Sequence, residues 1–450
     1  MHRTFIERVL IFAVALTTSL KAQQVIPLEL SLKRAIDIAL APDGNLRLRM
    51  AREFVRQAQF RAAQARAALL PNLDASVVEQ SQTRNLVALG IRIRVPIPGF
   101  NFPEFVGPFN TFDARATATQ SVFDLGIIRR YQASRIGLAS ATADEDATKD
   151  LVARQVAALY YGALRAEASV EAAKADVALA EALLDTARNQ KKAGTGTALE
   201  VTRAEVQLSY SRQRLLVAEN GSRQARLQLL KAMGLSLDTE VRFSSALTYK
   251  PAAIPAVEQA LATALRSRAD LRAQLQREES TRLSYSGVKM ERLPSLAGFA
   301  DYGSIGTGIQ NALPTRTYGL ALRVPVFDGG RRDARMGESR VLYEQERLRT
   351  TDLRQQIELE LRLAIDNLRS AEDQVRVSEV GLAQAKEELD RARRRYEAGM
   401  ANSLEVTDAQ TRLARARDNR IAALDLYNQA RVDLGQAMGI IRQMVVEGDL

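Results

Sequence analysis

Few side chains in this chain could do covalent chemistry. The only histidine is His2, and Cys and Trp are absent. Imidazole acid–base work, Ser-His-Asp and Cys-His nucleophiles and tetrahedral zinc sites are therefore excluded, leaving carboxylate, lysine and tyrosine chemistry. The groups with informative spacing sit in two similar phrases, KKAGTGTALEV from Lys191 to Val201 and YEAGMANSLEV from Tyr396 to Val406. Gly194 and Gly399 stand where a left-handed residue ends a helix without a Cβ clash. Three residues later, Thr197 and Asn402 each precede a glutamate, Glu200 and Glu405, at the capping-box spacing that starts a new helix at once. Each phrase reads as a tight helix–turn–helix reversal. Glu405 and Asp408, three residues apart, share one helix face, where they are expected to meet water and each other. Plain capping is the competing reading of Glu200 and Glu405.

The elements that position these groups are written twice. The phrases lie 205 residues apart, Leu229–Gly234 answers Leu434–Gly439 at the same offset, and Val122-Phe-Asp124 answers Val326-Phe-Asp328 at 204. Leu70-Pro-Asn-Leu73 answers Leu293-Pro-Ser-Leu296 at 223, so the first half holds 19 extra residues between these landmarks. The period is far longer than the ~20–50 residues of common solenoids, and fits a duplicated half-molecule. Val152, Val156, Leu159, Ala163, Ala166, Val170, Ala173, Val177, Ala180 and Leu184 alternate steps of four and three. Ile357, Leu361, Ala364, Leu368, Ala371, Val375, Ser378, Leu382, Ala385, Leu389, Ala392 and Tyr396 do the same in phase. Such a repeat implies left-handed coiled coils. No proline falls between Phe109 and Lys250 or between Val326 and Leu450, so helices of ~100 Å are permitted.

Between the repeated landmarks the period switches to two. Tyr318, Leu320, Leu322, Val324 and Val326 alternate with Thr317, Gly319, Ala321 and Arg323, and Phe112, Ala114, Ala116 and Ala118 alternate with Asp113, Arg115, Thr117 and Thr119. This is the pattern of barrel strands in a membrane, and equally of a half-buried soluble sheet. Five of the 13 Phe lie between Phe100 and Phe112 among Pro103, Pro108 and Gly107, with Pro96 and Pro98 just before, suggesting an aromatic-rimmed external loop. Two strands per half give four per chain, too few to close, and lipid tolerates no open edge. A barrel would have to be shared among chains.

The first 22 residues read as a secretory signal, with Arg3 and Arg8 before the apolar run Val9–Leu16 and a small residue at Ala22. No Cys follows, which excludes a lipid-anchored start, and no later apolar run reaches the ~18–20 residues of a membrane helix. Of 63 Lys+Arg and 53 Asp+Glu, Arg3, Arg8, Lys21 and Glu7 fall in this segment, leaving the rest at +8. The charges are interspersed along helical stretches, which indicates solvated faces and no nucleic-acid partner.

Together these features resemble the TolC-type outer membrane factor family over essentially the whole mature chain. The most specific pieces are Leu70–Leu73 with Leu293–Leu296, Val326-Phe-Asp-Gly-Gly330, and Tyr396–Gly399 leading to Leu404-Glu-Val406. The resemblance implies a mainly α fold with a small β part: long antiparallel coiled-coil helices forming an α-barrel, and a transmembrane β-barrel shared between protomers, four strands each. The domains expected are a signal (1–22), a first repeat (23–234; strands about 72–123, hairpin 126–234) and an equatorial connector (235–256). A second repeat (257–439; strands about 296–326, hairpin 330–439) and a tail (440–450) follow. The implied assembly is a homotrimer in outer membrane lipid, extending into the periplasm and serving as the passive exit duct of a tripartite efflux or type I secretion system. Its partners would be a periplasmic adaptor and an inner-membrane transporter, with no cofactor and no metal. The resemblance also assigns Glu405 and Asp408 to an acidic ring at the periplasmic entrance, and a tip contact to Tyr396, which would bond across to the acid Glu200 of the first hairpin. The turn residues Gly194, Thr197, Gly399 and Asn402 would dock the adaptor. Ala401 stands where the family carries an arginine that can latch the tip. The alternatives are a soluble periplasmic coiled-coil adaptor or scaffold and, further off, an exported hydrolase using carboxylates alone.

Overall fold

The structure, a computed structural model, describes residues 27–92, 98 and 103–448. The expected signal, Met1 to Ala22, lies outside them, as do Pro96, Phe100 and Phe102 of the expected aromatic loop. In chain order the elements are β1 (Leu28–Leu30), α1 (Leu32–Leu40), α2 (Leu46–Ala67), β2 (Asn72–Asn85) and β3 (Phe105–Phe123). Then follow α3 (Leu125–Lys192), α4 (Ala198–Met233), β4 (Val241–Phe243), α5 (Val257–Ser267), α6 (Ala269–Met290) and β5 (Ser295–Gly306). β6 (Leu313–Arg323), α7 (Arg331–Glu397), α8 (Ser403–Ala437) and α9 (Ile441–Glu447) complete the chain. Among the described residues no helix is long and apolar enough to cross a membrane.

Two compact units share these elements. Among the described residues, the first gathers those of Met1–Ala39, Val156–Lys250 and Val375–Leu426, and the second those of Leu40–Gln155, Pro251–Gln374 and Tyr427–Leu450. The long helices α3, α7 and α8 contribute a segment to each, whereas α4 belongs wholly to the first.

In the first unit the heptad positions do what their spacing requires. Ala180 and Leu184 of α3 pack on Leu208 of α4, while Ala385, Leu389, Ala392 and Tyr396 of α7 pack on Val406, Ala409 and Leu413 of α8, joined by Leu179 and Leu183 of α3. Alanine dominates, so the helices approach closely and each buries little area alone. Charge supplements the seam: Asp176 of α3, only 13% exposed, accepts from Arg417 at 2.6 Å and meets Arg214 at 3.5 Å, and Arg214 reaches Asp418 at 2.7 Å. β1 pairs in parallel with β4, and the buried Tyr160 hydroxyl sits between Leu30 O (3.1 Å) and Ser245 Oγ (2.7 Å), its ring edge-on to Phe243.

The second unit holds one antiparallel sheet in the order β2-β3-β5-β6. β3 pairs with β2 from Asn85↔Phe105 to Asn72↔Thr119 and with β5 from Phe112↔Gly306 to Phe123↔Leu296. The β5–β6 register runs from Ser295↔Arg323 to Ile305↔Leu313. β6 therefore stops at Arg323, short of the expected Val326, because Pro325 lacks the N–H a ladder needs. β3 starts earlier than the alternation suggests, so Phe105 and Phe109 join Phe112 in a strand and do not belong to a loop. Near the helices, Arg268 is buried (7% exposed) and bonded to Asp270 at 3.0 and 2.6 Å and to Glu360 at 2.5 Å.

Candidate functional site: the hairpin tips and the strand wall

At the first tip α3 ends with the Gly194 N–H donating to Lys191 O at 3.1 Å, and those of Thr195 and Gly196 to Gln190 O at 3.0 Å. Gly194 has φ +74°, which a side chain would strain. Thr197 then caps α4. Its Oγ1 accepts from Glu200 N at 3.3 Å and Glu200 Oε2 accepts from Thr197 N at 2.8 Å, a complete capping box.

The second tip repeats the turn and alters its chemistry. Gly399 has φ +72°, its N–H donates to Tyr396 O at 3.0 Å, and that of Met400 to Arg395 O at 2.8 Å. Asn402 Oδ1 accepts from Glu405 N at 3.1 Å. The Glu405 carboxylate, however, turns to Arg395 at 3.1 Å. The two glutamates thus share a place in the repeat and differ in task, since Gln190 occupies the first-half position corresponding to Arg395.

Two expectations need correction. Glu405 and Asp408, both exposed to solvent, take arginines and not each other as partners: Asp408 accepts from Arg412 at 2.7 Å, and Arg412 also reaches Glu388 on α7 at 2.8 Å. Paired guanidinium groups offset much of the negative field that two bare carboxylates would present. Nor is the contact of Tyr396 with Glu200 a hydrogen bond. Both residues line one cavity at the tip, yet the Tyr396 hydroxyl is buried without a hydrogen-bond partner among the described residues, because the Glu200 carboxylate is turned back towards Thr197. Burial, and secondly the Glu200 charge, push the Tyr396 phenol above its ordinary pKa.

The sheet has two unlike faces. Leu73, Val77, Tyr302, Tyr318, Leu320 and Leu322 project from one side with 67–81% of their surface exposed. The other side carries Asp113, Arg115 and Asp301, with Arg115 bonded to Asp113 and lying 3.6 Å from Asp301. A side chain at Gly303 would collide with Arg115 Cβ, so the glycine makes room for this bridge across the β3–β5 seam. Sequence reading missed Arg395, Arg412, Glu388 and Asp301. The Gln190-to-Arg395 change between the repeats signals one of them, and the four-residue spacing from Asp408 signals Arg412.

Comparison with known proteins agrees with this architecture. The outer membrane efflux protein model matches residues 38–235 and 260–440. The pyoverdine export outer membrane protein OpmQ of Pseudomonas putida is 26% identical over 423 residues, covering 91% of this chain and 85% of that protein. The Campylobacter jejuni CmeC outer membrane channel superposes with a TM-score of 0.78 at 16% identity, covering 93% of this chain and 89% of that one. The open state of the Neisseria gonorrhoeae MtrE outer membrane channel gives 0.75 at 18%, covering 91% and 90%. With both repeats matched, the strand wall apolar on one face and the long hairpins in place, the chain belongs to the outer membrane efflux protein family, whose members are outer-membrane channels and not enzymes.

Proposed function

We propose that three copies close one twelve-stranded barrel in the outer membrane and continue it as a helical tunnel. This assembly would be the passive exit duct of a tripartite efflux or type I secretion system, opened by a periplasmic adaptor and an inner-membrane transporter. One observation carries the reading. The four-stranded sheet offers lipid a face of six large, exposed apolar side chains, and leaves β2 and β6 unpaired at its edges within the chain. In hydrocarbon those edges must be paired, and pairing β6 of one copy with β2 of the next closes a ring. The export function in the name of the Pseudomonas putida relative supports the outward direction of transport. In this assembly Glu405 and Asp408 form the ring at the periplasmic entrance, with Arg395 and Arg412 moderating its charge, and Tyr396 with Glu200 joins the two hairpins. Gly194, Thr197, Gly399 and Asn402 shape the turns that the adaptor meets. A soluble adaptor or scaffold fits less well, because a chain kept in water would bury such an apolar face. Light scattering of the purified protein, corrected for bound detergent, is expected to give three chains per particle. A monodisperse monomer in plain buffer overturns the reading.

A further inference from the structure

The tip cavity brings together polar atoms that neither capping nor ion pairing uses. It lies among the ends of α3, α4, α7 and α8, walled by Leu183, Ala187 and Glu200 on one side and Tyr396, Ser403 and Gln410 on the other. Tyr396 and Gln410 are each only 6% exposed. Tyr396 Oη, Ser403 Oγ and Gln410 Oε1 are buried with no hydrogen-bond partner among the described residues. Leaving three such groups dry in one place costs more than the net value of the bonds they could make. The space available to water centres is about 20 Å³, against the roughly 10–15 Å³ that one water requires.

The chemistry of the wall selects the occupant. Two hydroxyls, Tyr396 and Ser403, can donate, while Gln410 Oε1 and the Glu200 carboxylate can accept, the latter because its Oε1 makes no hydrogen bond among the described residues. Arg203, Gln207 and Thr407 line the cavity as well; among the unpartnered atoms, two donors and two acceptors suffice for the four hydrogen bonds of a single water molecule. We infer that this cavity is an ordered-water site, and that the joint between the first and second hairpins at the tip is water-mediated through Tyr396, Ser403, Gln410 and Glu200. The inference deepens the proposed role of the tip, but the site itself does not require that the protein conduct anything.

The test is hydrogen–deuterium exchange of the assembled, detergent-solubilised protein, read on the amides of 198–207 and 403–413. If water fills the site, Tyr396→Phe and Gln410→Met each remove a bond to it, so local exchange should accelerate by roughly three- to tenfold. The double variant should accelerate less than the product of the two, because both groups share one water. Ser403→Ala, the smallest change, should act in the same direction and guards against a misfolded tyrosine variant. Slower or unchanged exchange in the single variants means that the atoms are dry, and a multiplicative double variant means that they share nothing. Either result overturns the site. A monomer in plain buffer would sink the duct reading and leave this one standing.

Discussion

The ion-pair knot at Asp176 gives a prediction whose size follows from the geometry. Removing one partner of a fully buried pair costs about 3–5 kcal/mol. Arg417→Ala deletes the closer partner of Asp176, at 2.6 Å, but Arg214 remains at 3.5 Å and the Arg417 side chain was itself 25% exposed. Roughly half the full penalty is therefore expected, about 2 kcal/mol, or about 30-fold faster local exchange. The effect should depend on pH. Burial raises the Asp176 carboxyl above its usual value, outweighing the opposing pull of Arg417 and Arg214. An acid raised on folding contributes stability that is present below its unfolded pKa and lost as pH rises through the folded one. Deleting Arg417 removes a lowering influence, so the raise grows. The deficit should be widest above the folded pKa and should narrow as pH falls through it towards 3.8. Exchange of amides around 170–180 and 412–420, compared at about pH 4, near the ordinary carboxyl value, and at about pH 8 after correction for intrinsic rates, measures this. Asp176→Asn in the same chain should recover much of the loss. A deficit equal at both pH values, or a double variant no better than Arg417→Ala, refutes the reasoning.

Three further outcomes are expected. Gly194→Val and Gly399→Val meet no atom within 4 Å of the added Cβ, so each costs the left-handed backbone strain alone, about 1–2 kcal/mol; export should fall while the trimer persists, and undiminished export in both would free adaptor docking from these turns. Glu405→Gln with Asp408→Asn should weaken cation preference and periplasmic block by a trivalent cation in planar-bilayer recordings, whereas a block as strong as the parent's moves the acidic ring elsewhere. For Arg268→Ala the readout is acid sensitivity. Burial would raise Asp270, but the hydrogen bonds and charge of Arg268 outweigh it and hold the acid below its usual pKa. The stability this confers is present above the unfolded pKa and lost as pH falls through the folded one, so acid unfolding of the variant should lose that component.

The repeat, the glycine turns and the alternating strands were legible because each is a local or periodic property. Thr197 and Glu200 announce their capping box by spacing alone. Arg412 lies four residues after Asp408, a pairing the spacing does offer; the approach of Arg395 to Glu405 across a turn and of Arg412 to Glu388 on another helix was not legible, since both depend on how the helices are rotated about their axes. Arg115 and Asp301 are 186 positions apart, and only the β3–β5 register makes them neighbours. The heptad placed Tyr396 on the seam and the resemblance gave it a bond to Glu200; its isolation among the described residues arises because Glu200 is committed to its own helix start.

The uneven sheet has a practical consequence. From Phe105 to Thr111, β3 has β2 as its one neighbour, in register at five residues and broken at Gly107 and Pro108, since β5 joins only at Phe112. This stretch forms a two-stranded ribbon of at most about 23 Å at ~3.3 Å per residue. The ribbon is the end of β3 remote from α3, so in an outer-membrane channel whose helices enter the periplasm it points out of the cell. The chain has no cysteine, and any thiol placed in it is therefore unique. A maleimide dye too polar to cross the membrane would label intact cells carrying Asn85→Cys and pass over those carrying Thr195→Cys until the envelope is opened, which turns an asymmetry between two strand pairs into a reporter of sidedness in living cells.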